Sequence, residues 1–187
     1  MNKVRSLSAG QGASIDLSSL CKMHPRLPRD MAAVMVLRAA LGLQRNEHAS
    51  GVGFQMDIES AVSRCALLWP AADLARAEQH DSKRITEDGA EAIALAVAHK
   101  TRAWGVVRRM QQGKHADWLL EHKDNGMRTL VAFEVSGTDE QSIAAPMRKK
   151  LIQVAKATDV DQRCAGIVGF KRPEAALRSV KARTHGR

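Results

Sequence analysis

The sequence predicts an α/β protein built on a mixed β-sheet, and three observations indicate this class. Apolar residues recur at helical spacing in several segments, while other short segments alternate apolar with polar residues. Three of the strand-like segments follow one another with short, turn-rich links, which is typical of an antiparallel meander. The last strand-like segment follows a helix and can therefore pair in parallel through a crossover.

The first 85 residues form an N-terminal extension in this interpretation. Pro25 and Pro28 precede a stretch with helical spacing, which predicts a helix at about 29–43. Its apolar stripe comprises Met31, Val34, Met35 and Leu41. Strand-like alternation follows from Val52 to Ile58, and a second apolar run, 65–69, reads as a partner strand or a short helix. The extension therefore has one helix and strands within about 52–69.

Residues 86–170 form the core domain. Thr86 precedes two acids and has the chemistry of an N-cap, so we expect a helix at about 87–100. The later elements are predicted as strands at 103–110, 115–122 and 128–135, a helix at about 143–157 and a strand at 163–170. Asp124-Asn125-Gly126 supplies the turn between the second and third strands.

The positive charge of the chain favours a polyanionic partner. The formal net charge is +9, and residues 171–187 hold six Lys or Arg against one acid, a surplus of five. We therefore expect this basic C-terminal tail to contact phosphate. Three Trp, three Phe and no Tyr are too few to supply both a core and a stacking platform. We expect nucleic acid, DNA above all, to be held by charge and backbone contacts.

The remaining bulk features indicate a cytoplasmic protein. No apolar run approaches the roughly 20 residues needed to cross a bilayer, so no membrane partner is expected. The first 20 residues lack the continuous apolar stretch of a secretory signal. Cys21, Cys65 and Cys164 are far apart and odd in number, which is typical of reduced thiols.

Two carboxylates lie in positions that suggest chemistry. Asp117 falls in the second strand of the meander and Glu134 near the end of the third. Period-two alternation places Val131, Phe133 and Val135 on a buried face and Glu134 on the other. A carboxylate flanked by apolar residues needs a partner, and Mg²⁺ (or Mn²⁺) shared with Asp117 is one such partner.

Further polar groups lie on the two flanking helices. Glu91 stands between small residues on the helix before the meander. Lys149, Lys150 and Gln153 lie on the helix after it, and Lys149 and Gln153, four apart, share a face.

The order of elements, with Asp117 followed seventeen residues later by Glu134-Val135-Ser136, resembles the PD-(D/E)XK nuclease superfamily over about 87–170. The resemblance implies a restriction-endonuclease-like αβββαβ core, with Asp117 and Glu134 as Mg²⁺ ligands and Glu91 as the helix acid. It also implies hydrolysis of DNA phosphodiesters. Ala116 replaces the motif proline, and Ser136 stands where the motif lysine is expected.

Some members of the superfamily move that lysine to the next helix, where Lys149 or Lys150 is available, and Gln153 is similar to the helix glutamine of the RecB-like branch. Ordinary structural roles stay open: Asp117 can pair with Arg108 or Arg109, and Glu134 with Lys149.

Three functions remain. The first is a Mg²⁺-dependent nuclease. The second is a catalytically inactive nucleic-acid-binding or assembly module on the same fold. The third is a protein-interacting subunit that docks through residues 1–85. The chain can also act as a homodimer or in a larger complex.

Overall fold

The computed structural model describes residues 13–73, 75, 79–111 and 113–180. These residues form an α/β structure with one mixed eight-stranded sheet and four α-helices. The helices are α1 (Leu20–Met23), α2 (Arg29–Arg45), α3 (Ser82–Arg102) and α4 (Ala144–Val154). The strands are β1 (Ser14–Asp16), β2 (Val52–Ile58), β3 (Ala61–Leu68), β4 (Gly105–Arg109), β5 (Trp118–Asp124), β6 (Met127–Thr138), β7 (Gln162–Gly169) and β8 (Glu174–Ser179). Within the described residues, no helix is both long and apolar enough to cross a bilayer.

The sheet has the strand order β1-β3-β2-β8-β7-β6-β5-β4. The meander β4–β5–β6 is antiparallel, as predicted, and β7 pairs with β6 in parallel after α4. The strands of the N-terminal extension continue the same sheet, because β2 pairs in parallel with β8. The ambiguous run at 65–69 is a strand up to Leu68, where β3 ends.

One face of the sheet is covered by α2 and α3, which pack closely on each other. An ideal Cβ built on Gly89 of α3 would lie 2.9 Å from the Ala39 backbone of α2, so only glycine permits this approach. The helix begins at Ser82, with the Asp81 side chain accepting from the Lys83 amide, so the predicted Thr86 cap is wrong. Thr86 instead lies inside the helix and donates its hydroxyl hydrogen to Asp139.

Among the described residues, α4 is the helix that covers the other face of the sheet. Met147 and Val154 of this helix pack with Ala132 of β6 and with residues of β7. Val131, Phe133 and Val135 belong to the core under α2 and α3, which confirms the predicted division of β6 between two faces.

Part of the predicted basic tail is a strand. Residues 174–179 form β8 between β2 and β7, with Ala175 and Leu177 buried on the α3 side and Ala176 on the α4 side. The sequence does not indicate this strand, because Lys and Arg flank it and because its small alanines give only a weak alternation of apolar and polar residues. Of the tail's basic residues, Lys181, Arg183 and Arg187 lie outside the described residues.

Candidate active site

Asp117 lies immediately before β5 rather than within it, and its side chain extends the strand pairing. Its amide donates to the Phe133 carbonyl at 3.1 Å. Its Oδ2 accepts from the Val135 amide at 2.8 Å, in place of a ladder carbonyl. The two groups that Asp117 contacts, the Phe133 carbonyl and the Val135 amide, lie on either side of Glu134 along β6. Asp117 and Glu134 line one cavity, and the charge of Asp117 raises the pKa of Glu134, so both carboxylates share one region.

Glu134 is a buried carboxylate whose partner comes from α4. The residue is 1% exposed, and its Oε1 accepts from the Lys150 ammonium. The Lys150 Nζ also lies 3.4 Å from Gln153 Oε1, which holds the ammonium between the two side chains. Glu134 Oε2 is buried and has no hydrogen-bond partner among the described residues. One oxygen of this carboxylate is therefore neutralised and the other is available.

The helix presents Lys150, and not Lys149, to the sheet. Met147, Leu151 and Val154 anchor α4 on the sheet and set its rotation, so Lys150 lies on the inner flank. Lys149 is exposed. The predicted pairing of Glu134 with Lys149 is therefore wrong, and Lys150 takes that place. The apolar stripe at 147, 151 and 154 contains the signal that distinguishes the two lysines.

Glu91 lies on α3 and pairs with Arg109. The Arg109 guanidinium donates to Glu91 Oε1 at 2.8 Å and its Cζ lies 5.2 Å from the centre of the Trp118 ring. Burial, against the lowering effect of Arg109 and with a smaller contribution from the charge of Asp117, raises the pKa of Glu91 to about 7. Arg109, expected as a partner of Asp117, forms its ion pair with Glu91 instead, and its charge only lowers the pKa of Asp117.

Electrostatics at the two strand carboxylates favour the binding of a positive charge. Burial raises the pKa of Asp117, while the Val135 amide and the charge of Lys150 lower it. Burial also raises the pKa of Glu134, and the neighbouring charge of Asp117 raises it further. Lys150 acts in the opposite direction. Each carboxylate is thus less acidic than it would be in water, chiefly because it is buried, and at Glu134 also because the charge of Asp117 repels it.

These groups open onto one cavity of about 310 Å³. Asp117, Glu134 and Gln153 line it together with Arg109 and His115. The wall opposite α4 is the loop after β4, where Gly113 and His115 have φ values of 88° and 61°. Asp117, Glu134 and Gln153 of the predicted site line this cavity, whereas Glu91, Lys149 and Lys150 are not among its lining residues. Arg109 lines it without having been predicted there. Arg109 lies at the end of β4 and pairs with Trp118, the residue after Asp117, and this position is the signal that could have identified Arg109.

The donor set suits a hard divalent cation with few protein ligands. Mg²⁺ binds oxygen and is commonly held by one or two carboxylates plus waters and substrate phosphate. The unpartnered Oε2 of Glu134 beside Asp117 fits this description. Across the residues that the structure describes, no group of three His, Cys, Asp or Glu is gathered for a metal.

Comparisons with protein-family models, curated protein sequences and solved structures give no match. The membership of the nuclease superfamily therefore stays a prediction, and the site rests on its own geometry.

Proposed function

We propose that the protein is a metal-dependent phosphodiesterase that cleaves nucleic acid, DNA in the first instance. The observation that carries the proposal is the convergence of two carboxylates on one cavity, buried Glu134 of β6 and partly buried Asp117 just before β5, with an ammonium on Glu134. Carboxylates in such a place serve a cation, and the basic surface of the chain suits a polyanionic substrate.

The order of the elements supports the same proposal. The chain runs α3–β4–β5–β6–α4–β7, with Asp117 immediately before the second strand of this unit and Glu134 in the third. This is the order expected of a restriction-endonuclease-like core. Ser136 leaves the motif position without a lysine, and Lys150 on α4 supplies an ammonium to the same carboxylate.

The residues divide the work of hydrolysis among them. Asp117 and Glu134 would hold Mg²⁺ or Mn²⁺, which when bound polarises the phosphoryl group and lowers the pKa of water. Lys150 donates hydrogen bonds to the attacking water or to a non-bridging phosphate oxygen, where its charge offsets the charge that develops. Gln153 orients the Lys150 amine. Arg109 lines the cavity and is placed to contact the phosphate.

A second function is favoured by one observation. The Lys150 ammonium already satisfies Glu134 Oε1, so the site is partly neutralised by the protein itself. A chain that keeps this ion pair permanently would bind nucleic acid without cleaving it. The same scaffold would then serve as an inactive binding or assembly module.

The two functions are separated by cleavage assays. Supercoiled plasmid and end-labelled oligonucleotides are incubated with Mg²⁺ or Mn²⁺ and wild-type protein, Glu134→Ala or Asp117→Asn. Lys22→Ala is the matched control, because Lys22 is an exposed lysine of α1 and does not line the cavity. We expect metal-dependent cleavage by the wild type and the control, and loss of cleavage in both carboxylate variants. Undiminished cleavage by Glu134→Ala would refute the site, and binding without cleavage by the wild type would support the inactive module.

A further inference from the structure

A second polar cavity of about 360 Å³ lies away from the candidate site, at the turn between β7 and β8. Arg64 of β3 and Lys171 and Arg172 of the turn line it, and all three are exposed. We call it the Arg64 cleft. Glu174 also lines the cleft, but within the described residues no carboxylate lies within 4.0 Å of any of the three cations. The cleft is thus a concave surface with an excess of two positive charges.

The Arg64 cleft lies on the same face of the sheet as Glu134. Gln55 pairs with Arg64 on one side and with Glu174 on the other, so these three side chains share a face. Glu174 alternates with Ala176 on that face, and Ala176 packs under α4 with Ala132. Glu134 alternates with Ala132 and therefore belongs to it as well.

Along the strand direction, the cleft is displaced from Glu134 toward the carboxyl ends of β6 and β7. Glu134 pairs with Ala165, whereas Glu174 pairs with Gly169, four residues further along β7. Three strand spacings separate β6 from β2. With about 4.8 Å between strands and about 3.3 Å per residue, the two places are about 20 Å apart.

The helix between them carries positive charge outward. Arg148 and Lys149 are exposed on α4, and the helix contains no acidic residue. A polyanion that crosses from the candidate site to the cleft would therefore meet cations along the way.

We propose that the Arg64 cleft binds the phosphate backbone of the same nucleic acid whose phosphodiester lies at Asp117 and Glu134. The inference rests on the proposed function, to which it adds a second, remote phosphate contact. The described lining of the cleft has no aromatic side chain, so the contact is to backbone and not to stacked bases. A duplex rises about 3.4 Å per base pair, so the two contacts are about six base pairs apart.

The test is binding of a fluorescein-labelled 20-base-pair duplex, measured by anisotropy in EDTA between 50 and 300 mM KCl. The variant is Arg64→Ala/Arg172→Ala. The control is Lys22→Ala/Lys100→Ala, which removes equal charge from two exposed residues of α1 and α3, away from the face that carries the cleft. Circular dichroism verifies that both are folded. We expect the cleft variant to bind about tenfold more weakly at 100 mM KCl, and the slope of log K against log salt to fall by about 2. The control keeps the wild-type slope.

Because this measurement needs no metal, it is independent of hydrolysis. A wild type that cleaves with Mg²⁺ while the cleft variant binds normally would overturn the cleft and leave the hydrolase standing. A cleft variant that loses binding in a chain without cleavage would support the cleft and refute the hydrolase. Equal loss in both double variants would overturn the cleft, as would a wild type that binds anionic phospholipid vesicles and not the duplex.

Discussion

Replacement of Lys150 by Met removes the only ammonium that the described structure gives to Glu134, while it keeps most of the apolar stem of the side chain. The Glu134 side chain is 2% exposed and that of Lys150 is 24% exposed. The carboxylate therefore cannot recover in water the interaction that it loses. The substitution converts a buried ion pair into an unpaired buried charge.

The expected cost follows from burial. Breaking a buried ion pair from one side costs about 3–5 kcal/mol, and we expect about 3 kcal/mol at pH 8 because the Lys150 head group is partly hydrated. Burial and Asp117 already hold the pKa of Glu134 above its unfolded value, and loss of Lys150 raises this pKa further. A carboxyl with a raised folded-state pKa loses stability as pH rises from the unfolded pKa toward the folded one. The cost should therefore shrink as pH falls toward the unfolded pKa of a glutamate, because protonation removes the buried charge.

The assay is urea unfolding followed by tryptophan fluorescence at pH 5, 6.5 and 8. Lys149→Met is the matched control and should stay within about 0.5 kcal/mol of the wild type, because Lys149 is exposed. Glu134→Gln/Lys150→Met should regain about 2 kcal/mol at pH 8, since no buried charge is left. An equal loss in both lysine variants, or a loss that does not change with pH, would refute the reasoning.

Three further results are expected. His24 is buried, with one ring nitrogen on the Leu95 carbonyl and the other accepting from the Val106 amide, and burial lowers its pKa to about 4. Wild type should therefore lose up to about 3 kcal/mol relative to His24→Gln as pH falls from 6.5 to 4 in urea titrations. Since the pKa of Glu91 is raised to about 7, the stability of the wild type relative to Glu91→Gln should fall by about 3 kcal/mol as pH rises from 4.5 to 7. In Gly137→Ala, the added Cβ would press against the Thr86 carbonyl and lie 2.9 Å from Ala90 Cβ. Thermal unfolding should therefore show that the free energy of unfolding falls by about 3 kcal/mol. Gly53→Ala is the control, because a Cβ at Gly53 meets no atom within 4 Å.

The local patterns of the chain predict most of the fold. Alternation around Phe133 assigns the two faces of β6, and the turn at Asn125-Gly126 joins the predicted second and third strands of the meander. These features depend on neighbouring residues alone, so a single sequence contains them. β8 was missed because its alanines are buried by tertiary packing and not by a strong apolar pattern.

The sequence indicates which residues belong to the candidate site better than it indicates which of them contact each other. Asp117 and Glu134 come together because their chain neighbours Trp118 and Phe133 pair at the end of the β5–β6 register, and a short turn predicts that register. The choice of Lys150 over Lys149 depends on the rotation of α4, which its packing against β6 and β7 decides. The pairing of Arg109 with Glu91 joins β4 to α3 and depends on tertiary contact, which spacing along the chain does not encode.

Titration of the protein with Mn²⁺ by isothermal calorimetry at pH 8 asks whether the carboxylates on β6 and before β5 chelate one ion together. We expect one Mn²⁺ per chain for the wild type and for Glu140→Gln, an exposed acid used as the control. Both Asp117→Asn and Glu134→Gln should abolish that binding, and wild-type affinity should weaken toward pH 6 because protons compete for carboxyls of raised pKa. Equal heats for wild type and Glu134→Gln, or no saturable heat at all, would contradict a shared metal site.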